Sequence, residues 1–188
     1  MIKIQVIIGS TRQNRFGDKP AKWIMEELKK KENFKAELID LRDYQLPFFN
    51  EPMSPATSKG NYTNEAAKKW AQKVAEADGY IMVTPEYNHG YSAVLKNALD
   101  YVYAEWNNKP VAFVAYGSMG GARAVEQLRG VAVELQMAQI RAAVHIPAFW
   151  TLLDGKGNLK TETLQKAADT MFQQLEWWST ALKAARSK

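Results

Sequence analysis

Apolar runs of strand length alternate with segments of helical period along nearly the whole chain, and this alternation restricts the fold more than any other feature of the sequence. Ile2–Ile8 reads as a first buried strand. Over residues 19–31, Ala21, Ile24, Met25 and Leu28 share a helical face, with Asp18 placed to cap and Pro20 acceptable in the first turn. Residues 36–40 alternate polar and apolar, as an edge strand does. The three-proline stretch LRDYQLPFFNEPMSPATSKGNY is expected to be an irregular connection, long enough to point to function. Ala66, Trp70, Val74 and Ala77 mark a second helix and residues 80–84 a buried strand. A helix over residues 92–105 precedes a continuous apolar strand at 111–116. Val125, Leu128, Ala132 and Leu135 mark the next helix, and residues 142–146 a last strand. Leu164, Ala168, Met171, Leu175, Trp178 and Leu182 form a final apolar stripe that must pack on the sheet.

Strands separated by helices predict an α/β fold with a parallel sheet covered on both faces. Five strands, without a sixth of Rossmann type, favour the flavodoxin-like three-layer sandwich with strand order 2-1-3-4-5. A chain of 188 residues holds one sizeable core and rarely two, so one domain over residues 1–188 is expected.

That order makes strands one, three and four neighbours, so the loops leaving their carboxyl ends line one crevice at the point where open α/β sheets bind ligands. The loops are GSTRQNRFG, TPEYNHGYS and GSMGGAR. In the first, unpaired N–H groups at a helix start favour an anion. Ser10 and Thr11 add hydroxyl donors, and Arg12 and Arg15 add charge-assisted bonds. The loop lacks the Lys-Ser/Thr ending of an NTP-binding P-loop, so a phosphomonoester is the better guest. The second loop suits a flat heteroaromatic ring. Pro85 and Gly90 fix its shape, Asn88 addresses ring heteroatoms, and Tyr87 or Tyr91 offers a face. The third has glycines for close backbone approach but is neither GxGxxG nor a GxSxG elbow, so Ser118 is not read as a nucleophile.

Composition excludes several chemistries. With no cysteine, disulfides, thiolate nucleophiles and zinc-cysteine sites are ruled out, and a cytoplasmic location fits. Only two histidines, His89 and His145, offer no metal cluster. No window approaches the roughly 20 apolar residues of a membrane span. The first residues lack a small-residue cleavage site and read as a strand, not a signal peptide. The net charge of +5 is scattered, with no basic run of five, which suits small anionic ligands better than nucleic acid.

Together, GSTRxxRxG after the first strand, TPEYNHGYSAVLKNALDY after the third and EWNNKPVAFVAYGSMGGARAVEQLR around the fourth resemble the NAD(P)H-dependent FMN reductase family, which includes azoreductases, quinone reductases and chromate reductases. The resemblance runs from Ile2 to about Ile146. It implies bound FMN and two-electron transfer from NADPH or NADH to an acceptor such as a quinone, azo compound, flavin or metal oxyanion, in a ping-pong cycle. Carried over by position, Ser10, Arg12 and Arg15 would hold the FMN phosphate, bordered by Phe16 and Gly17. Pro85, Glu86, Tyr87 and Asn88 would lie along the isoalloxazine, and Gly117, Ser118 and Gly120 would close its far side. No protein acid or base is compulsory, because hydride passes from nicotinamide C4 to flavin N5 and backbone N–H groups of the second and third loops stabilise the charge. The positive charge favours NADPH over NADH. Residues from Phe149 onward and LPFFNEPMSP vary with acceptor and carry little.

The family also implies a homodimer or homotetramer. Tyr101, Tyr103 and Trp106 either bury a second face in such an assembly or complete the core of the chain itself. Two other readings use the same fold: a one-electron flavodoxin-like carrier with protein partners, which the positive charge disfavours, and a phosphate-binding module with no redox role.

Overall fold

A computed structural model describes residues 1–58 and 60–187. β1 (Ile2–Ile8), β2 (Phe34–Asp40), β3 (Gly79–Pro85), β4 (Pro110–Gly117) and β5 (Ala138–Pro147) form one all-parallel sheet in the order β2-β1-β3-β4-β5. Every position of β3 and β4 is buried. Strands covered on both faces read as continuous apolar runs, which is why they were legible. Successive side chains then divide between two cores. Val111, Phe113 and Ala115 join one with Trp70, Leu95 and Leu128, while Ala112, Val114 and Tyr116 join the other with Trp23, Ile24 and Met171. Accordingly α3 (Glu65–Ala75), α4 (Ala93–Asp100) and α5 (Ala122–Glu134) cover one face, and α1 (Asp18–Lys29) and α6 (Gln165–Arg186) the other. The long connection holds a 3₁₀ turn (Leu41–Asp43) and a single helical turn, α2 (Pro55–Ser58). None of the described helices is long and apolar enough to cross a membrane.

Four local readings need correction. Asp18 does not cap α1. Gly17 holds the N-cap position without a side-chain bond, because the Asp18 carboxylate instead accepts from Arg15 Nε at 2.7 Å. The helix expected over 92–105 stops at Asp100, and the following turns bury Tyr101 and Trp106 completely, Trp106 meeting Tyr80 and Trp70 edge-on at 4.7 and 6.0 Å between centroids. These two aromatics complete the core of the chain. The last strand starts four residues earlier than expected, at Ala138. On α6, Trp178 is 38% exposed and Ser179 is buried in its place. Here α6 crosses Gly79, where an added Cβ would lie 3.1 Å from Ser179 Oγ, so the approach admits a serine and not an indole.

Candidate functional site

The three loops leave the carboxyl ends of the adjacent strands β1, β3 and β4, as expected. Gly9 continues the ladder, its N–H donating to Val83 O at 2.8 Å, and an added Cβ would lie 3.0 Å from Leu95 Cδ2 and 3.2 Å from Val83 O. The chain then turns over α4, whose N-cap Ser92 donates its hydroxyl to Gly9 O. Ser10 is 1% exposed, with Oγ 3.0 Å from Tyr87 Oη and 3.4 Å from the Arg12 N–H. Thr11 and Arg12 are exposed. Among the described residues, the N–H groups of Thr11, Gln13 and Asn14 meet no protein acceptor, and the Arg12 guanidinium has no partner. An array of free backbone donors beside a free guanidinium is the chemistry of a phosphate cradle.

Arg15 sits differently from Arg12. Its side chain is 1% exposed. Nε donates to Asp18, Nη1 to Ser10 O and to Asp40 Oδ1 at 2.8 Å, and Nη2 to Asp40 Oδ2 at 2.5 Å, while Asp18 Oδ1 lies in ion-pair contact 2.6 Å from Nη2. Every guanidinium nitrogen donates to a protein acceptor, so Arg15 props the loop from below. Phe16 is buried with its ring 5.0 Å from Tyr116 and 4.4 Å from Phe149. Gly17 passes so close to Tyr116 that a Cβ would lie 2.9 Å from Oη, and that buried hydroxyl has no hydrogen-bond partner among the described residues.

In the second loop Pro85 is buried at the end of β3. Asn88 and His89 form a two-residue hairpin turn, both with positive φ (49° and 70°), closed by Tyr87 N–H to Gly90 O at 2.8 Å and Gly90 N–H to Tyr87 O at 3.0 Å. Asn88 and His89 are thus exposed at the tip and Tyr87 stands at its base. Glu86 turns inward. Its carboxylate accepts from the Arg123 N–H at 3.1 Å and from Arg123 Nε at 2.6 Å, closing the start of α5 in place of a local cap. Burial pushes the Glu86 carboxyl up, and the bonds from Arg123 more than reverse this, holding it below the usual range. His89 Nε2 lies 2.9 Å from Arg123 Nη1. Arg123 is therefore engaged on two sides.

The third loop needs its glycines. A Cβ on Gly117 would lie 3.1 Å from Glu86 Cβ, and one on Gly121, at φ +72°, would lie 2.5 Å from Ala115 Cβ. Gly120 also takes a positive φ, of 70°. Ser118 and Met119 are exposed, and their N–H groups meet no protein acceptor among the described residues.

Two clefts meet at this edge. The larger, about 610 Å³, runs between Ser10, Thr11 and Arg12, the segment Leu46, Pro47 and Phe48, and the start of α4. The smaller, about 240 Å³, is lined by Phe16, Pro85, Glu86, Gly117 and Ser118, with Tyr116, Phe149 and Trp150. Arg12 and Tyr87 belong to both. The sequence reading gave little weight to Phe149, Trp150 and LPFF, yet they form walls here. Ala148, at φ 42°, donates its N–H to Gly117 O at 3.0 Å and swings the aromatic pair over the third loop. Asn97 pins the other wall, donating to Pro47 O at 2.7 Å and accepting from the Phe49 N–H at 2.9 Å. The signal was a pair of aromatics next to a proline just beyond a strand end or within the long connection.

A family model for NADPH-dependent FMN reductase matches residues 2–151. An NAD(P)H-dependent FMN reductase of Schizosaccharomyces pombe is 46% identical over 146 residues, which cover 78% of this chain and 72% of the relative. A 2-hydroxy-1,4-benzoquinone reductase of a Burkholderia species is 29% identical over 185 residues, 94% of this chain and 96% of the relative. Among solved structures, the flavoenzyme NAD(P)H:(acceptor) oxidoreductase FerB of Paracoccus denitrificans is similar with a TM-score of 0.73 at 20% identity, covering 96% of this chain and 98% of that one, a likeness of fold. With its loops, its strand order and the match over residues 2–151 in agreement, the chain belongs to the NADPH-dependent FMN reductase family.

Proposed function

We propose that this chain is an NAD(P)H-dependent FMN oxidoreductase that passes reducing equivalents to a small aromatic acceptor such as a quinone or azo compound. The observation that carries the reading is the free donor set of the first loop, Arg12 with the N–H groups of Thr11, Gln13 and Asn14, opening directly onto a glycine-floored cleft. These residues fit FMN. The donors suit a phosphate dianion, and a Cβ at Gly117 would crowd the floor against which a flat ring must lie.

FMN held here would supply the redox chemistry, hydride transfer from nicotinamide to acceptor. The chain binds and orients. Arg12 and the loop amides hold the phosphate, Ser10 adds a hydroxyl, and Arg15 keeps the loop in shape without touching the ligand. Pro85, Glu86, Tyr87 and Asn88 border the ring on one side, and Gly117, Ser118 and Gly120 on the other. The N–H groups of Ser118 and Met119 are the donors left for negative charge on the ring. Glu86 holds no proton to give, being the partner of Arg123. Phe16, Phe149 and Trp150 exclude water from one edge. The larger cleft, within the size range of small-molecule sites, receives nicotinamide and acceptor in turn, which predicts parallel lines in double-reciprocal plots.

The test is an anaerobic spectrum of the protein with FMN before and after one equivalent of NADPH. Loss of the oxidised-flavin band within seconds is expected; a bound flavin that NADPH leaves oxidised would move the assignment to an electron carrier. The exposed Phe48, Met119 and Trp150 near the clefts support assembly to at least a dimer. Elution of a monomer from size-exclusion chromatography at micromolar concentration would count against that assembly.

A further inference from the structure

Among the described residues, Tyr87 is the one side chain that touches the first loop, borders both clefts and carries a hydroxyl aimed at another hydroxyl. Its Oη lies 3.0 Å from Ser10 Oγ, across 77 residues of sequence. Ser10 Oγ has one proton and two lone pairs. The Arg12 N–H, 3.4 Å away, points to one of those lone pairs. If Ser10 donated to Tyr87, its proton would be consumed and a phosphate would face only lone pairs at that position. If Tyr87 donates, both lone pairs of Ser10 Oγ are occupied and its proton is directed outward, beside the free N–H groups of Thr11 and Gln13. A phenol is also the stronger acid of the two, and so the better donor.

We propose that Tyr87 is a positioning residue for the FMN phosphate: its hydroxyl donates to Ser10 Oγ and turns the Ser10 proton toward the phosphate. This rests on the FMN reading above and deepens it, because it assigns Tyr87 a role beyond offering an aromatic face. The hairpin turn at Asn88 and His89 holds Tyr87 in place through its paired backbone bonds, so the loop that borders the ring also sets the donor geometry of the loop that binds the phosphate. Tyr87 is 37% exposed, so removing its hydroxyl is expected to leave the fold intact while the Ser10 proton loses its fixed direction.

The test compares FMN with riboflavin, which has the same ring and no phosphate. Tyr87→Phe keeps the aromatic face, so riboflavin affinity is expected to stay within about twofold, while the Kd for FMN rises about five- to tenfold, the effect of one ordinary hydrogen bond, because Tyr87 reaches the phosphate only through the neutral Ser10 hydroxyl. Ser10→Ala gives a similar loss for FMN, and the double variant is expected to be no weaker than Ser10→Ala alone, because Tyr87 acts only through Ser10. Equal losses for FMN and riboflavin, unchanged FMN affinity in Tyr87→Phe, or additive losses in the double variant would each overturn the proposal. If riboflavin binds too weakly to measure, the cycle with FMN decides alone. A wild-type protein that binds neither flavin is a separate result and removes the FMN reading itself.

Discussion

Replacing Arg15 with Met is expected to lower the stability of the flavin-free protein by about 3 kcal/mol, the low end of the range for breaking a buried ion pair from one side. The low end applies because Asp40 keeps Arg42 as a partner and Asp18 is half exposed. The loss has three sources: an Asp40 carboxylate left with Arg42 alone, a Ser10 carbonyl without its donor, and the packing of a side chain that is 1% exposed. Urea unfolding reads it directly. Adding Asp40→Asn should restore part of the loss, since removing both charges leaves less buried charge unpaired than removing one. If Arg15 is instead a phosphate ligand, the single variant keeps its stability and loses only flavin affinity. The pair also carries a pH signature. Burial pushes the Asp40 carboxyl up, but the bonds from Arg15 and Arg42 more than reverse this and hold it well below the ordinary carboxylate range. A carboxyl depressed in the folded state contributes stability above its unfolded pKa of about 3.9 and loses it as pH falls below that value. Acid unfolding of the wild type should therefore depend more steeply on pH than that of Asp40→Asn.

The strand order was legible because β3 and β4 are buried on both faces and therefore appear as unbroken apolar runs bounded by glycine or proline. Element ends were harder. Asp18 has the chemistry of an N-cap, and only the fold reveals that Arg15 claims its carboxylate first. Tyr101 and Trp106 look equally apt for an interface or a core from their sequence alone. The turns at residues 101–109, including Asn108 at φ 58°, carry them inward. Trp178 fits the apolar stripe of α6 by spacing, but spacing does not record that the helix there passes over Gly79.

The site was legible at the level of loops and not at the level of bonds. Each of the three loops lies where the strand order requires, since its residues follow β1, β3 and β4 directly. What the sequence hides is which polar groups are already satisfied. Arg12 and Arg15 are three residues apart and chemically identical, yet among the described residues one is free and the other has every guanidinium nitrogen bonded, because Asp40 arrives from the end of β2. Glu86 likewise reads as a neighbour of the ring, yet its carboxylate is held by Arg123 from the start of α5. The walls formed by Phe48 and Trp150 come from a loop and from a short 3₁₀ turn (Phe149–Leu152), segments too short or irregular for periodicity to give a signal.

Replacing Arg12 with Ala is expected to weaken FMN binding by about 1.5–3 kcal/mol, roughly ten- to 150-fold in Kd. The charges around the first loop explain why one residue carries so much. Arg15 and Arg42 are matched by Asp18 and Asp40 in one linked cluster, so those four side chains contribute no net charge toward a dianion. The start of α1 adds partial positive charge from its dipole. Within the loop, Arg12 is the guanidinium that remains, and it lies on both clefts. Riboflavin, lacking the phosphate, should bind Arg12→Ala and wild type alike. Arg12→Lys should recover part of the FMN affinity, because it restores the charge without the planar fork that bonds two phosphate oxygens at once. The wild-type FMN affinity should also fall with added salt more steeply than that of Arg12→Ala, since a lost ion pair leaves less to screen. FMN affinity unchanged by Arg12→Ala would sink the role of this residue. An equal loss for riboflavin would place Arg12 against the ring or ribityl chain, and the phosphate would then rest on the amides of Thr11, Gln13 and Asn14.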